Sequence, residues 1–209
     1  MEDVLDVYQR PSDPDAPVIC LDACAKVLHA TPRGEVATQP GTARREDDAY
    51  ERHGTCNIFC WVEPLIGRRQ VQITARHTAV DLAEQLRLLV DEAYPAARRI
   101  VLMTDNLNTH HLGALYERVT PEEARRIAQR LEWHYTPEHA SWLNMAEIEL
   151  SVLSRQCLSR RIGDHATLAR ETAAWVQERN RAGAKIDWQF TTADARIKLR
   201  RLYPELVYD

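Results

Sequence analysis

Two aspartates stand apart from the other acids of the chain because each one closes an apolar run. Asp22 follows residues 18–21, and Asp105 follows residues 99–104. The length and β-branching of these runs predict buried strands, and an ionised carboxylate at a buried strand end is costly unless it is paired or bound to a metal. If the two strands are neighbours, both carboxylates reach the same sheet edge, where a hard divalent cation is the usual remedy for their repulsion.

A third carboxylate, Glu147, lies on a helix predicted from Ser141 to about Arg160. At helical spacing Asn144 and Glu147 share one face, whereas Glu149 lies about 200° round the helix and should point elsewhere. Two strand-end aspartates and a helix-borne glutamate suit two-metal phosphoryl transfer, in which one ion activates an attacking water or hydroxyl and the other stabilises the leaving oxygen. Taken singly, each aspartate could equally be a capping or turn residue.

The sequence segments around these acids resemble those of a known protein family. They are TDNLNTH at residues 104–110 and WHYTPEHASWLN at residues 133–144, followed by Glu147. Together they resemble the DDE transposases of bacterial insertion sequences, and most closely the insertion-sequence six-thirty family, relatives of the mariner elements. The similarity continues through LSVLSRQCLSRRI and IDWQFTTADARIKLRRLYP and so covers nearly all of residues 17–204.

This resemblance implies a ribonuclease-H-like fold, Mg²⁺ dependence with Mn²⁺ as a substitute, and cut-and-paste transposition of double-stranded DNA between transposon ends and a target. The catalytic and metal-binding triad that it implies is Asp22, Asp105 and Glu147. The supporting residues are Asn106, His110 and Asn144. The resemblance is also compatible with a homodimer.

The chain departs from the family pattern directly after the first aspartate, where the family usually has an acid and this chain has Ala23. Because side chains alternate along a strand, residue 23 should face away from Asp22, so the change need not remove a metal ligand. The family also carries an N-terminal helix-turn-helix region that recognises the element ends. The chain begins near what resembles the linker after that region.

The elements that must position these residues follow from hydrophobic spacing. Three early strands with short links favour an antiparallel meander, and two later strands separated by helices favour parallel additions. The expected fold is therefore α/β, a ribonuclease-H-like mixed five-stranded sheet flanked by helices. Strands are predicted at residues 18–21, 55–65, 70–75, 99–104 and 132–135, and helices at 2–8, 78–94, 111–119, 121–131, 141–160, 165–180 and 192–202.

Composition limits the class of protein. The chain has 209 residues, of which 44% are hydrophobic and 28% charged, which is ordinary for one globular domain with extensions. No apolar run approaches the roughly 20 residues of a membrane span, and the acidic start lacks the apolar region of a signal peptide. We expect a cytoplasmic protein with a linker or arm at residues 1–16, the catalytic domain at 17–204 and a tail at 205–209.

Basic charge is concentrated late in the chain. The net charge is −4, yet residues 151–209 carry 11 basic and 7 acidic side chains. This region is a candidate surface for contacts with DNA phosphates. The alternative is that these cations lie on solvated helix faces or pair with neighbouring acids. The candidates are Arg160, Arg161, Lys198, Arg200 and Arg201.

Two pairs of cysteines, Cys20 with Cys24 and Cys56 with Cys60, have the spacing C-x₃-C. A four-thiolate zinc site is conceivable, but both pairs lie in apolar runs, which favours buried thiols. The leading functional hypothesis is thus a metal-dependent DNA endonuclease and strand transferase of the DDE type. The alternatives are a nuclease on the same fold and a catalytically inactive remnant that binds DNA or a partner.

Overall fold

Five strands and six α-helices form the part of the protein that this computed structural model describes, which comprises residues 1–32, 40–41, 49–106, 111–138 and 140–203. The strands are β1 (Val18–Ala30), β2 (Glu51–Glu63), β3 (Arg68–Thr74), β4 (Ile100–Thr104) and β5 (Leu131–Tyr135). The helices are α1 (Glu2–Tyr8), α2 (Ala79–Leu88), α3 (Pro121–Ala128), α4 (Met145–Gln156), α5 (His165–Arg181) and α6 (Thr192–Lys198).

The strands form one mixed sheet in the order β3-β2-β1-β4-β5. β1, β2 and β3 pair antiparallel, and β4 joins β1 and β5 in parallel. This is the arrangement that the short early links and the later helices predict, so the expected α/β class with a mixed five-stranded sheet is confirmed. β1 is central, and it therefore connects the antiparallel and the parallel halves.

The two faces of the sheet are covered by different helices, because successive side chains of each strand point to opposite sides. Ile19 and Leu21 of β1 pack in a cluster with side chains of α2 and α3. Cys20, between them, packs in a second cluster with residues of α1 and of the start of α4. A third cluster joins the rest of α4 and α5 to β2. The start of β1 is therefore buried on both faces.

Two strands are much longer than their hydrophobic runs. β1 continues to Ala30 and β2 begins at Glu51, and the two pair along most of this length. The added residues of β2, 51–54, are polar and exposed, whereas those of β1 mix small, apolar and polar side chains that are mostly only partly buried. Backbone pairing of the two strands extends well past the continuous apolar runs, and for that reason the hydrophobic pattern did not predict these outer parts.

The predicted helix starts are confirmed where a capping residue marks them. Thr78 accepts a hydrogen bond from the Asp81 N–H at the start of α2, and Thr120 caps α3 with Pro121 in the first turn. Some predicted helices take another form: residues 89–93 are a π-helical turn, and 112–117 and 141–143 are 3₁₀ turns. None of the helices in the described ranges has the length and apolar composition needed to cross a membrane.

Helix α1, predicted at residues 2–8 within the N-terminal linker or arm, packs into the core. Val4, Leu5 and Val7 are buried in the same cluster as the start of α4. Both carboxylate oxygens of Glu2 accept hydrogen bonds from Arg196 of α6, at 2.8 Å each. The high Asp and Pro content of the first 17 residues concealed this short apolar stripe.

The cysteines are all free thiols, and those on β1 and β2 pack into the core. Cys20 belongs to the cluster under α1, whereas Cys56 and Cys60 belong to the cluster under α5. Burial raises the pKa of the Cys20 thiol to about 12 and that of Cys24 to about 11. Neutral thiols in apolar surroundings fit the packing interpretation.

The contacts of Glu132 with two arginines make the stability of the fold depend on pH. Glu132 of β5 accepts hydrogen bonds from Arg10 and Arg99, at 2.7 Å each, and the Arg10 hydrogen bond is the main cause that lowers its pKa from 4.5 to about 2. A lowered carboxylate pKa stabilises the fold fully above the unfolded value and progressively less as pH falls toward 2. We expect Glu132→Gln to destabilise the protein at pH 6 and to have a smaller effect at pH 3, measured by urea unfolding. An equal effect at both pH values would contradict this.

Candidate active site

The strand that contains Asp22 and the strand that Asp105 follows are neighbours. β1 and β4 pair in parallel, with Cys20 opposite Met103. Asp22 and Asp105 each lie two residues beyond that pair, so both reach the same edge of the sheet. The side chain of Asp22 lies within the buried part of β1 and is 6% exposed, while Asp105 is partly exposed. The two strands are therefore neighbours, as predicted, but β1 does not end at Asp22: it continues to Ala30, and the edge that the two aspartates share is where the pairing of β1 with β4 ends.

Helix α4 begins against this edge. Asn144 caps the helix, since its side-chain oxygen accepts a hydrogen bond from the Ala146 N–H. Its Nδ2 atom donates to the Leu21 carbonyl oxygen at 3.0 Å and to Asp22 Oδ2 at 3.3 Å. Glu147 is in the first turn of α4, where the helix dipole favours a negative charge. A buried amide thus joins the start of α4 to the strand that carries Asp22.

The two carboxylate oxygens of Asp22 have different hydrogen-bond donors. Oδ1 accepts from the backbone N–H of Ala23 at 2.7 Å, and Oδ2 accepts from Asn144. The Ala23 side chain packs against the cluster on the opposite face of the sheet. Residue 23 therefore faces away from Asp22, as strand alternation predicts, and an acid at this position would not join Asp22 on its face.

Glu149, the other acid of the first turns of α4, points into the protein. It is fully buried and accepts hydrogen bonds from Arg179 at 2.6 and 3.2 Å. Arg69 Nε lies 2.9 Å from Glu149 Oε1 without the alignment of a hydrogen bond, so this contact is an ion pair. Both arginines contact the Glu149 carboxylate. Glu149 therefore faces the core, on a different side of α4 from the one predicted for Glu147.

The chemistry of the three predicted ligands fits a hard divalent cation. Asp22, Asp105 and Glu147 offer only carboxylate oxygens, which Mg²⁺ prefers. Within the described ranges no three His, Cys, Asp or Glu side chains are gathered so that they could hold an ion together. Mg²⁺ usually keeps several waters and needs only one or two carboxylates, so a closed cage of three is not required for it to bind.

The supporting residues are only partly within the described chain. Asn144 is placed as above, and Asn106 is exposed directly after Asp105. His110 lies outside the described residues. Sequence reasoning did not identify Arg69 and Arg179, which hold α4 from its far side; charged side chains on β3 and α5 give no local signal that they meet at Glu149.

The predicted DNA-contact residues differ in their surroundings. Arg160 forms an ion pair with Glu171 at 2.7 Å, and Lys198 lies 3.4 Å from Asp194. Arg161 donates to the Ala49 carbonyl oxygen. For Arg160 and Lys198 the structure favours the alternative of pairing with neighbouring acids. Arg200 and Arg201 are exposed, and neither forms an ion pair with a described residue.

Comparison with known proteins gives one family and one fold. The sequence profile described as DDE superfamily endonuclease matches residues 17–169. The structure is similar to the Mos1 mariner paired end complex with Mn, with a TM-score of 0.54 and 16% identity over 88% of this chain and 55% of that chain. It is similar to the Mos1 Strand Transfer Complex, with a TM-score of 0.54 and 15% identity over 88% of this chain and 54% of that chain.

A pre-cleavage Mos1 transpososome is also similar, with a TM-score of 0.53 and 14% identity over 90% of this chain and 61% of that chain. The chain thus spans little more than half the length of these solved chains. At such identity the likeness concerns the fold, which is ribonuclease-H-like. No curated protein matches the chain in sequence.

Proposed function

The chain belongs to the DDE superfamily of endonucleases, and from this premise we propose that it is the catalytic domain of a transposase. In this proposal it cleaves DNA at a transposon end and joins that end to a target, with Mg²⁺ or Mn²⁺ as cofactor. The observation that supports the proposal is that β1, which contains Asp22, pairs with β4, which Asp105 follows, and that Asn144 at the start of α4 donates to Asp22. The catalytic domain comprises residues 17–204, with 205–209 as a tail.

The insertion-sequence six-thirty family is the branch that we propose for it, on the motifs at residues 104–110 and 133–147. Its partners are then the double-stranded DNA of the transposon end and of the target, together with a second copy of the chain. Solved complexes of Mos1 with Mn and with Mg support the choice of cofactor.

In the proposed mechanism Asp22, Asp105 and Glu147 would hold the metal, which would supply charge neutralisation to the phosphodiester during the reaction. Hydrogen bonds from Ala23 and Asn144 fix the orientation of the Asp22 carboxylate before the substrate arrives. A water attacks the phosphorus at the transposon end and releases a 3′-hydroxyl. That hydroxyl then attacks a phosphodiester of the target, and a target 3′-oxygen leaves.

Metal binding gives the first test of this proposal. We expect Mn²⁺ or Mg²⁺ to raise the melting temperature, because a ligand that binds only the folded state adds about 2.7 kcal/mol at one hundred times its Kd. For a domain of this size that corresponds to roughly 5–10 °C. Calorimetry with and without metal measures the shift, and Asp105→Asn is the control that should abolish it. A folded wild type with no shift at millimolar metal would favour the inactive remnant.

A strand-transfer assay separates the transposase from a nuclease on the same fold. Both cleave a DNA duplex in the presence of metal, but only the transposase joins the released 3′ end to a second duplex. A labelled transposon-like end and an unlabelled target plasmid distinguish the two products by size. Cleavage without any joined product would identify the nuclease.

DNA affinity should depend on Arg200 and Arg201, the candidate cations that form no ion pair with a described residue. We expect replacement of Arg200 and Arg201 by Ala to weaken binding to all duplex sequences about equally and to lower the slope of log K against log salt by about 0.9 for each lost phosphate contact. Arg160→Ala is the matched control, because that arginine is paired with Glu171. Titrations at several salt concentrations measure the slope. If Arg160→Ala lowered the salt slope more than the replacement of Arg200 and Arg201, Arg160 rather than these two arginines would be the phosphate contact.

A further inference from the structure

The side chain of Asn144 is fully buried, and it contacts both the strand that bears Asp22 and the helix that bears Glu147. We propose that Asn144 is a positioning residue, whose amide N–H groups set the place of Glu147 relative to Asp22. This inference rests on the proposed function, because it concerns the same metal site. It goes beyond helix capping, for which the side-chain oxygen alone would be enough.

The hydrogen bonds of Asn144 allow one orientation of its amide. The oxygen accepts from the Ala146 N–H at 3.1 Å, and Nδ2 donates to Leu21 O and to Asp22 Oδ2. Rotating the amide by 180° would direct its NH₂ at the N–H of Ala146 and its oxygen at two acceptors. Every contact would then be repulsive, so the network itself assigns the positions of the oxygen and the nitrogen.

The burial of Asn144 makes these contacts hard to replace. A buried acceptor that loses its donor keeps the full cost of desolvation, because water cannot reach it. The Leu21 carbonyl oxygen accepts a hydrogen bond from Asn144, and Leu21 directly precedes Asp22. Asn144 therefore donates to both a backbone oxygen and a carboxylate oxygen at the end of the buried part of β1.

Helix α4 is held at a second point by the buried contact of Glu149 with Arg69 and Arg179. Glu147 lies between this contact and Asn144. Its N–H donates to the Asn144 carbonyl oxygen at 3.0 Å, so even its backbone is tied to the capping residue. Asn144 and Glu149 thus fix α4 on either side of Glu147. These contacts oppose rotation or sliding of the helix, so the backbone of Glu147 keeps its place relative to Asp22.

Two substitutions separate positioning from capping. Serine and threonine are good helix N-caps, so Asn144→Ser and Asn144→Thr keep an acceptor for the Ala146 N–H. Neither offers an NH₂ group that can reach Leu21 O and Asp22 while the oxygen caps the helix. Asp164→Ser is the matched control, since Asp164 caps α5 through the Thr167 N–H at 2.8 Å and lies on a different helix.

The experiment measures the Kd for Mn²⁺ of each folded variant by titration calorimetry, with circular dichroism to establish folding. We expect Asn144→Ser and Asn144→Thr to bind Mn²⁺ about tenfold more weakly than wild type, the equivalent of one lost hydrogen bond. Asp164→Ser should bind it as wild type does. A purely structural role would lower the melting temperature of the Asn144 variants but leave the Kd of the folded protein unchanged.

Three results would overturn the inference. Equal Mn²⁺ affinity in wild type and both Asn144 variants would overturn it and leave the proposed function standing. Failure of both variants to fold would show that Asn144 is structural. A folded wild type that does not bind Mn²⁺ at all would remove the proposed function and this inference together.

Discussion

We expect Asp22→Asn, Asp105→Asn and Glu147→Gln each to abolish metal-dependent DNA cleavage and to leave the protein folded. Each substitution removes the negative charge of a metal ligand with almost no change of volume. A bound metal supplies several kcal/mol of transition-state stabilisation, so its loss lowers the rate by about a thousandfold or more. Single-turnover cleavage of a labelled duplex in Mg²⁺ measures this, with circular dichroism to show that the variants are folded.

Glu149→Gln is the control for the glutamate. It makes the same chemical change two residues from Glu147, on the side of α4 that faces Arg69 and Arg179. Per folded molecule, this variant should retain far more of the wild-type cleavage rate than Glu147→Gln does, because Glu149 is not a predicted metal ligand. If Glu147→Gln retained cleavage and folded Glu149→Gln lost it, the assignment of the helix face would be wrong.

Glu149→Gln should have its large effect on stability instead. The side chains of Arg69 and Glu149 are both fully buried, and Arg179 adds two hydrogen bonds to the same carboxylate. Removing one partner of a buried ion pair leaves an uncompensated charge in the core, which costs about 3–5 kcal/mol. Urea unfolding of wild type and variant measures the difference in the free energy of unfolding.

The exposed pair of Arg181 and Glu178 on α5 provides the comparison. Both side chains are more than half exposed, and exposed pairs contribute about 0–1 kcal/mol. Glu178→Gln should therefore change stability very little. If the two glutamine variants were equally stable, the Arg69, Glu149 and Arg179 contacts would not hold α4 and α5 to the sheet.

The sequence predicted those parts of the site that depend on local patterns. Asp22 and Asp105 were identifiable because each one ends an apolar run, and the separation of Glu147 from Glu149 follows from the turn of an α-helix. The mixed sheet followed from the spacing of strands and helices. In each case the signal lies within a few residues along the chain.

The parts that the sequence did not predict depend on partners far apart in the chain. Arg69 is a charged residue on a strand, and only the fold brings it to Glu149 and Arg179. Asn144 has the residue type of a helix cap, but its contact with Leu21 and Asp22 requires α4 to lie on β1. The pairing of Arg160 with Glu171 likewise depends on how the chain turns between α4 and α5.

The central claim is that a divalent metal binds at the sheet edge between the two aspartates and Glu147. Crystals soaked in MnCl₂ test it directly, because anomalous scattering locates Mn²⁺ without reference to activity. We expect Mn²⁺ bound by Asp22 and Asp105, with any second ion about 4 Å from the first, and no such density in Asp105→Asn crystals. Ordered carboxylates at this edge with no Mn²⁺ at millimolar concentration, or Mn²⁺ bound only elsewhere, would contradict it.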